Sequence, residues 1–313
     1  MRGGIKLDLL LYIFTENIAP IFLIISLGYL LNNFFEINIK TLNKLNFYIF
    51  VPALVLIQIY NTELKLEMMN IVYFSLLFLV IISLLSTALS KFRNYGPSLT
   101  NAFKNSTIFF NAGNYSLPLI ALIFNNSAYA FSIQVMVLIL QTLLIYTVGF
   151  FNAGKGQVGL KSSLKKVFVY PPVYVIILAF ILKTFSYDFS EFFLWPAMEY
   201  LEQGFISVAL LTLGVQLSKI NINLEDPSIY IASFFRLLGG PLIALLLILI
   251  LGIDGIMAKV LFITSAAPTA VTTALIAVEY DNQPSFASQV VMMTTLLSVF
   301  SVTFVIYLSE IIF

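Results

Sequence analysis

The chain reads as long apolar runs interrupted by short polar stretches. The runs between charged or turn-rich punctuation number ten, roughly 13–31, 42–60, 69–90, 99–124, 129–151, 167–185, 196–218, 228–251, 256–279 and 286–309. Each approaches the ~20 residues needed to cross ~30 Å of hydrocarbon, so the pattern predicts membrane-spanning helices from end to end. The longest polar interruption, Asn152 to Lys166 (NAGKGQVGLKSSLKK), falls near the midpoint and splits the segments five and five. The expected organisation is one unit over 1–151, a linker over 152–166 and a second unit over 167–313. Prolines repeat across that divide: Pro20 and Pro171 are 171 − 20 = 151 apart, and Pro118 and Pro268 are 268 − 118 = 150 apart. An odd number of segments per half makes the second half enter the membrane from the opposite side. The fold class expected is therefore an all-α membrane protein of ten transmembrane helices in two inverted five-helix repeats.

Two runs have helix-hostile centres. In the fourth, Asn111 to Pro118 reads NAGNYSLP; in the ninth, Thr264 to Thr273 reads TSAAPTAVTT. An interior proline removes a backbone hydrogen bond, and freed groups in lipid must be satisfied by protein or water. Taken alone, NAGNYSLP fits a proline kink covered by Asn and Ser side chains. Two breaks at corresponding depths would instead gather four half-helix ends near the midplane. The halves beginning near Pro118 and Pro268 would point N–H groups and partial positive charge inward, and those ending before them would offer carbonyl oxygens. The candidate substrate site is Asn111, Gly113, Asn114, Ser116 and Pro118 with Ala267, Pro268, Thr269 and Thr272. Amides supply donors and acceptors there, and Gly113 permits close approach of the backbone.

Composition narrows the chemistry. Hydrophobic residues make up 60%, charged residues 10%, and the 313-residue chain has neither Cys nor His. Disulfides, thiolate nucleophiles, and imidazole-based metal binding or proton shuttling are thereby excluded, and no metal site or cofactor is expected beyond a coupling Na+ or H+. Sixteen basic against fifteen acidic residues give no basic patch for nucleic acid. The N-terminal stretch MRGGIKLDLLLYIF has no small-residue cleavage site and is read as retained. Nine Lys and Arg (Lys40, Lys44, Lys91, Arg93, Lys155, Lys161, Lys165, Lys166, Lys219) fall on one face, and five (Arg2, Lys6, Lys65, Lys183, Lys259) on the other. This asymmetry puts the central loop in the cytoplasm and both termini outside a cell membrane.

The order of motifs carries a family resemblance. NAGNYSLP, LQTLLIYTV at Leu140 to Val148, FRLLGGP at Phe235 to Pro241, SAAPTA followed by VEYDNQP at Val278 to Pro284, and the early GYLLNNFF and LNKLNFYIFVPAL resemble the auxin efflux carrier family, including bacterial PIN-like carriers of the bile-acid, arsenite and riboflavin transporter type. The resemblance covers essentially the whole chain. It implies crossed, broken fourth and ninth helices, as in bile-acid transporters and sodium–proton antiporters, and elevator or rocking alternation. It also implies a homodimer within the bilayer and a small organic anion as substrate. By motif, Asn111 resembles the crossover asparagine that contacts the substrate carboxylate, Tyr146 a pocket tyrosine, and Val51 and Pro52 the broken second helix beside the pocket. Tyr170-Pro171-Pro172 replaces the Asn-Pro-Asn of plant members, and the central loop is short; both departures favour a prokaryotic carrier of another small anion, such as malate.

The remaining polar positions have competing readings. Arg236, about seven residues into the eighth segment, is expected to snorkel, to pair with Glu279 or Asp281, or to meet the anion directly. Glu199 and Glu202 stand three apart; the expectation is an interfacial Glu199 and an inward Glu202 available for ion coupling. Gln141, Gln203 and Gln216 are expected to face other helices, one or two of them the pocket. Lys104 reads as a snorkelling anchor and Trp195 as an interface residue. Intramembrane proteolysis lacks its His base or paired buried aspartates, so enzyme activity is not expected. A channel for ions or protons and a sodium-coupled carrier of a larger amphipathic anion remain the alternatives.

Overall fold

The computed structural model describes residues 7–61, 66–125, 127–154, 171–185, 188–220 and 225–313. Among these the chain is all helical. Seven helices are long and apolar enough to cross a membrane: α1 (Leu7–Phe35), α2 (Ile39–Asn61), α3 (Met69–Phe92), α6 (Ala128–Ala153), α8 (Trp195–Ser218), α9 (Pro227–Leu251) and α12 (Pro284–Ile312). The shorter helices are α4 (Pro97–Ile108) and α5 (Ser116–Ile123), which share the fourth segment, α7 (Pro171–Lys183) in the sixth, and α10 (Gly255–Ser265) and α11 (Val271–Glu279), which share the ninth. Most of the expected linker, including Lys155, Lys161, Lys165 and Lys166, lies outside the described residues, as do Arg2, Lys6, Lys65 and Tyr170.

Interior prolines act in two distinct ways. In α1, α2 and α9 the chain widens into a π-turn just before the proline: Phe14–Ile18 before Pro20, Asn46–Phe50 before Pro52, and Phe235–Gly239 before Pro241. A proline ring collides with the carbonyl four residues back and offers it no N–H, and a π-turn moves that carbonyl aside without ending the helix. The second segment is consequently not broken at Val51 and Pro52, as the family resemblance implied; α2 runs through as one helix. A fourth π-turn, Ile145–Gly149 in α6, has no proline, and the side chain of Asn105 donates to its Gly149 carbonyl at 2.8 Å.

Pro118 and Pro268 behave differently because their flanks are small and polar rather than apolar. Pro118 sits in the first turn of α5, where a missing N–H costs nothing, and Pro268 lies in the nonhelical link between α10 and α11. The two links meet as a single antiparallel bridge between Phe110 and Thr269. Asn111 N donates to Pro268 O at 2.8 Å, and Ala270 N donates to Phe109 O at 3.0 Å.

Close helix packing surrounds this junction. A Cβ on Gly28 of α1 would run into the Leu211 carbonyl oxygen of α8, and one on Gly214 of α8 into the Ile25 carbonyl of α1. These glycines let the two backbones touch, the usual solution where lipid provides no hydrophobic drive for association. Leu23, Leu84, Phe92, Leu249 and Ile250 are among many large apolar side chains left exposed, as a bilayer-facing surface requires.

Candidate functional site at the crossover

Several of the backbone groups freed by the two breaks are met from within the protein. Thr269 Oγ1 donates to Ser106 O at 2.7 Å, and Gln134 Nε2 of α6 donates to Ala112 O at 2.8 Å. Ser116 donates to Asn111 O through both its N–H and its hydroxyl, each at 3.0 Å. Thr294 of α12 accepts from Thr269 N through its Oγ1 at 3.1 Å. Arg236 Nη1 donates to Thr107 O at 2.8 Å, and its Nη2 donates to Ser265 O. In hydrocarbon each unmet group costs several kcal/mol, so these contacts are what allow irregular backbone at this depth.

A cavity of about 80 Å³ adjoins the junction. At ~10–15 Å³ per water on this measure it holds a few water-sized groups, the size of a compact carboxylate. The fourth-segment break contributes Phe110, Asn111, Ala112, Gly113 and Asn114, and the start of α11 contributes Val271, Thr272 and Leu275 with the preceding Ala270. Helix α6 adds Leu138, Gln141, Thr142 and Ile145, a stripe at i, i+3, i+4 and i+7. From α2 come Asn43, Phe47 and Val51, and from α8 Phe205 and Gln216. Among the described residues no lining side chain is charged, and polarity comes from five amides and two threonines.

Three of those amides are nearly closed off from solvent: Asn111 and Gln141 are 7% exposed and Gln216 8%. Asn111 Nδ2, Gln141 Oε1 and Gln216 Oε1 have no hydrogen-bond partner among the described residues. Gln216 uses its Nε2 to hold Asn43 Oδ1 at 3.1 Å. A buried amide atom without a partner costs ~1–3 kcal/mol, and the cost is recovered when a ligand or another conformation supplies the partner. At α11, the amino end of a nine-residue helix faces the cavity directly, with first-turn N–H groups that have no partner within the helix. The amino end of α5 is presented through the turn that precedes it.

Of the residues singled out from sequence, the cavity brings together Val51, Asn111, Gly113, Asn114, Gln141, Gln216 and Thr272. Ser116, Pro118, Ala267, Pro268 and Thr269 lie in or beside the junction without lining it, and Pro52 follows the π-turn of α2. Tyr146 points elsewhere, its ring 5.5 Å from that of Phe150, while its neighbour Ile145 lines the cavity. Arg236 neither snorkels nor pairs with Glu279: it is 0% exposed, and Glu279 is exposed at the far end of α11. Glu202 is half-buried and accepts from Gln58 Nε2 of α2, three residues along α8 from the cavity-lining Phe205. Glu199 and Gln203 are both exposed. Asn43, Phe47, Thr142 and Phe205 were not anticipated; the four-residue spacing of Asn43, Phe47 and Val51 is the signal that marks them as one stripe.

A profile of membrane transport proteins matches the chain twice, over residues 13–158 and again over 157–306. The chain belongs to this family. The resemblance to auxin efflux carriers read from the motifs is thereby borne out. The chain is 21% identical to an uncharacterized transporter of Methanothermobacter thermautotrophicus over 295 residues, covering 92% of this chain and 95% of that one. It is 28% identical to an uncharacterized transporter of Methanocaldococcus jannaschii over 159 residues, about half of each chain (50% and 51%). The protein is a multi-pass membrane protein of a transporter family.

Proposed function

We propose that this family member is a secondary active transporter that carries a small organic anion, of carboxylate type, through the cavity at the crossover by alternating access. The observation that carries the reading is the pairing of a crossover held together by backbone hydrogen bonds with unpartnered amides around an adjoining cavity whose described lining has no formal charge. A carboxylate fits Asn111 Nδ2 and the amino end of α11, as anions suit helix amino termini. The double profile match supports two repeats, and the odd number of segments per half favours their inversion and a total of ten spans. The same reading takes the termini as extracytoplasmic, the assembly as a homodimer, and Na+ or H+ as the coupling ion.

The test is a thermal-shift screen of the purified protein against organic acids, at two pH values and with or without sodium. Stabilisation by a carboxylate, growing with its concentration, is expected, and dependence on sodium or acid pH would identify the coupling ion. Failure of every acid under all four conditions, with the protein folded, would overturn the reading.

A further inference from the structure

Arg236 sits behind the site, on the opposite electrical pole. Its guanidinium donates to Thr107 O and Ser265 O, in the last turns of α4 and α10, so one cation caps the carboxyl ends of both broken helices. The π-turn Phe235–Gly239 carries it, and Gly240 leaves it room, since a Cβ there would strike the guanidinium. Each helix carboxyl end bears about half a negative charge and each amino end about half a positive one. Arg236 therefore offsets the two negative ends. The amino ends of α5 and α11, on the cavity side, meet only neutral side chains.

Resting on the reading of the cavity as an anion site, we propose that Arg236 sets the sign of the cargo without touching it. Phe110 links them: the residue lines the cavity, and its ring centroid lies 5.4 Å from the guanidinium carbon. With the charge in place, the uncompensated pole of the crossover is positive and selects a carboxylate over a neutral molecule of the same shape. Without it, the two negative ends cancel the two positive ends and the selection disappears. Arg236 is on this view a specificity-determining positioning residue.

The experiment compares carboxylates with their amides, lactate with lactamide, malonate with malonamide and malate with malamide, as stabilisers of the purified full-length protein. Wild type is expected to respond to an acid at concentrations about tenfold or more below its amide, Arg236→Gln to show a ratio within about threefold of unity, and Arg236→Lys to restore the preference. A tenfold preference persisting in Arg236→Gln, or absent from Arg236→Lys, overturns the inference. Should the Gln variant not fold, the neutral Arg236→Met is measured in its place against the same acids and amides. A ratio within about threefold of unity in Arg236→Met supports the inference, and a ratio equal to wild type overturns it. An acid without effect on wild type removes the anion-site reading and the inference with it, which is distinguishable from a preference that survives loss of the charge.

Discussion

Asn111 does two separable jobs at the crossover. Its backbone N–H and carbonyl hold the junction together, on Pro268 O and from Ser116, while its side-chain Nδ2 has no partner among the described residues. Asn111→Ala removes only the second, so we expect carboxylate-induced stabilisation and transport to be lost with expression and melting temperature nearly unchanged. A large fall in melting temperature would show that the amide is structural. Gln134 is the converse case. It is fully buried, and its Nε2 is the donor for Ala112 O. Gln134→Leu leaves that carbonyl unmet and is expected to destabilise the protein by ~1–3 kcal/mol, measured by thermal or denaturant unfolding, whether or not ligand is present. Asn111 was legible in the sequence because it stands in a polar octet inside an apolar run. Gln134 was not, because a lone glutamine in a helix does not reveal which carbonyl it will meet.

At the level of helices, prolines are the informative residues and their flanks decide the outcome. Pro118 and Pro268 were readable as breaks from the Asn, Gly, Ser and Thr around them. Pro52, between Val51 and Ala53, looked similar by family analogy, yet the apolar run around it continues as helix and absorbs the proline in a π-turn. That turn has a consequence for the site. It inserts one residue between Asn43 and Val51, and one residue rotates a helix by about 100°. With the N–H restored in Pro52→Ala, the segment is free to return to α geometry, swinging Asn43 and Phe47 away from the cavity. The expected result is roughly tenfold weaker carboxylate binding in a protein that still unfolds cooperatively. Unchanged affinity would mean that the π-turn is held by packing and not by the proline. The partners of Arg236 are not legible in the sequence for a related reason: the π-turn and Gly240 beside it leave no hydropathy signal, and its acceptors, Thr107 and Ser265, are far off in sequence.

Across the whole molecule, the first and seventh segments are joined at Gly28 and Gly214, where neither backbone can withdraw to admit a methyl group. Gly214→Val should abolish folded protein altogether, as judged by monodisperse elution in detergent, since the blocking atoms are backbone. Apolar periodicity was enough to find nearly every helix, but it could not show which helices touch, because in lipid small residues and amides choose partners instead of hydrophobicity. The chain has no native cysteine, so orientation can be read directly with single substitutions. Asn94→Cys, between α3 and α4, should react with a membrane-impermeant thiol reagent only from the cytoplasmic side, and Asp188→Cys, between α7 and α8, only from outside. The reverse pattern would invert the proposed topology.

The uncharged lining of the cavity bears on energetics. On the proposed carrier reading, an empty site of this kind adds no ionised side chain to the return step, so each turnover would carry the cargo's own charge across the membrane. For a monoanion leaving a cell whose interior is negative, ~100 mV contributes about 2.3 kcal/mol, equivalent to a roughly 50-fold concentration ratio, beside whatever a coupling Na+ or H+ supplies. On that reading, voltage adds to the driving force for an anionic cargo, and an imposed potassium diffusion potential in vesicles should alter the rate.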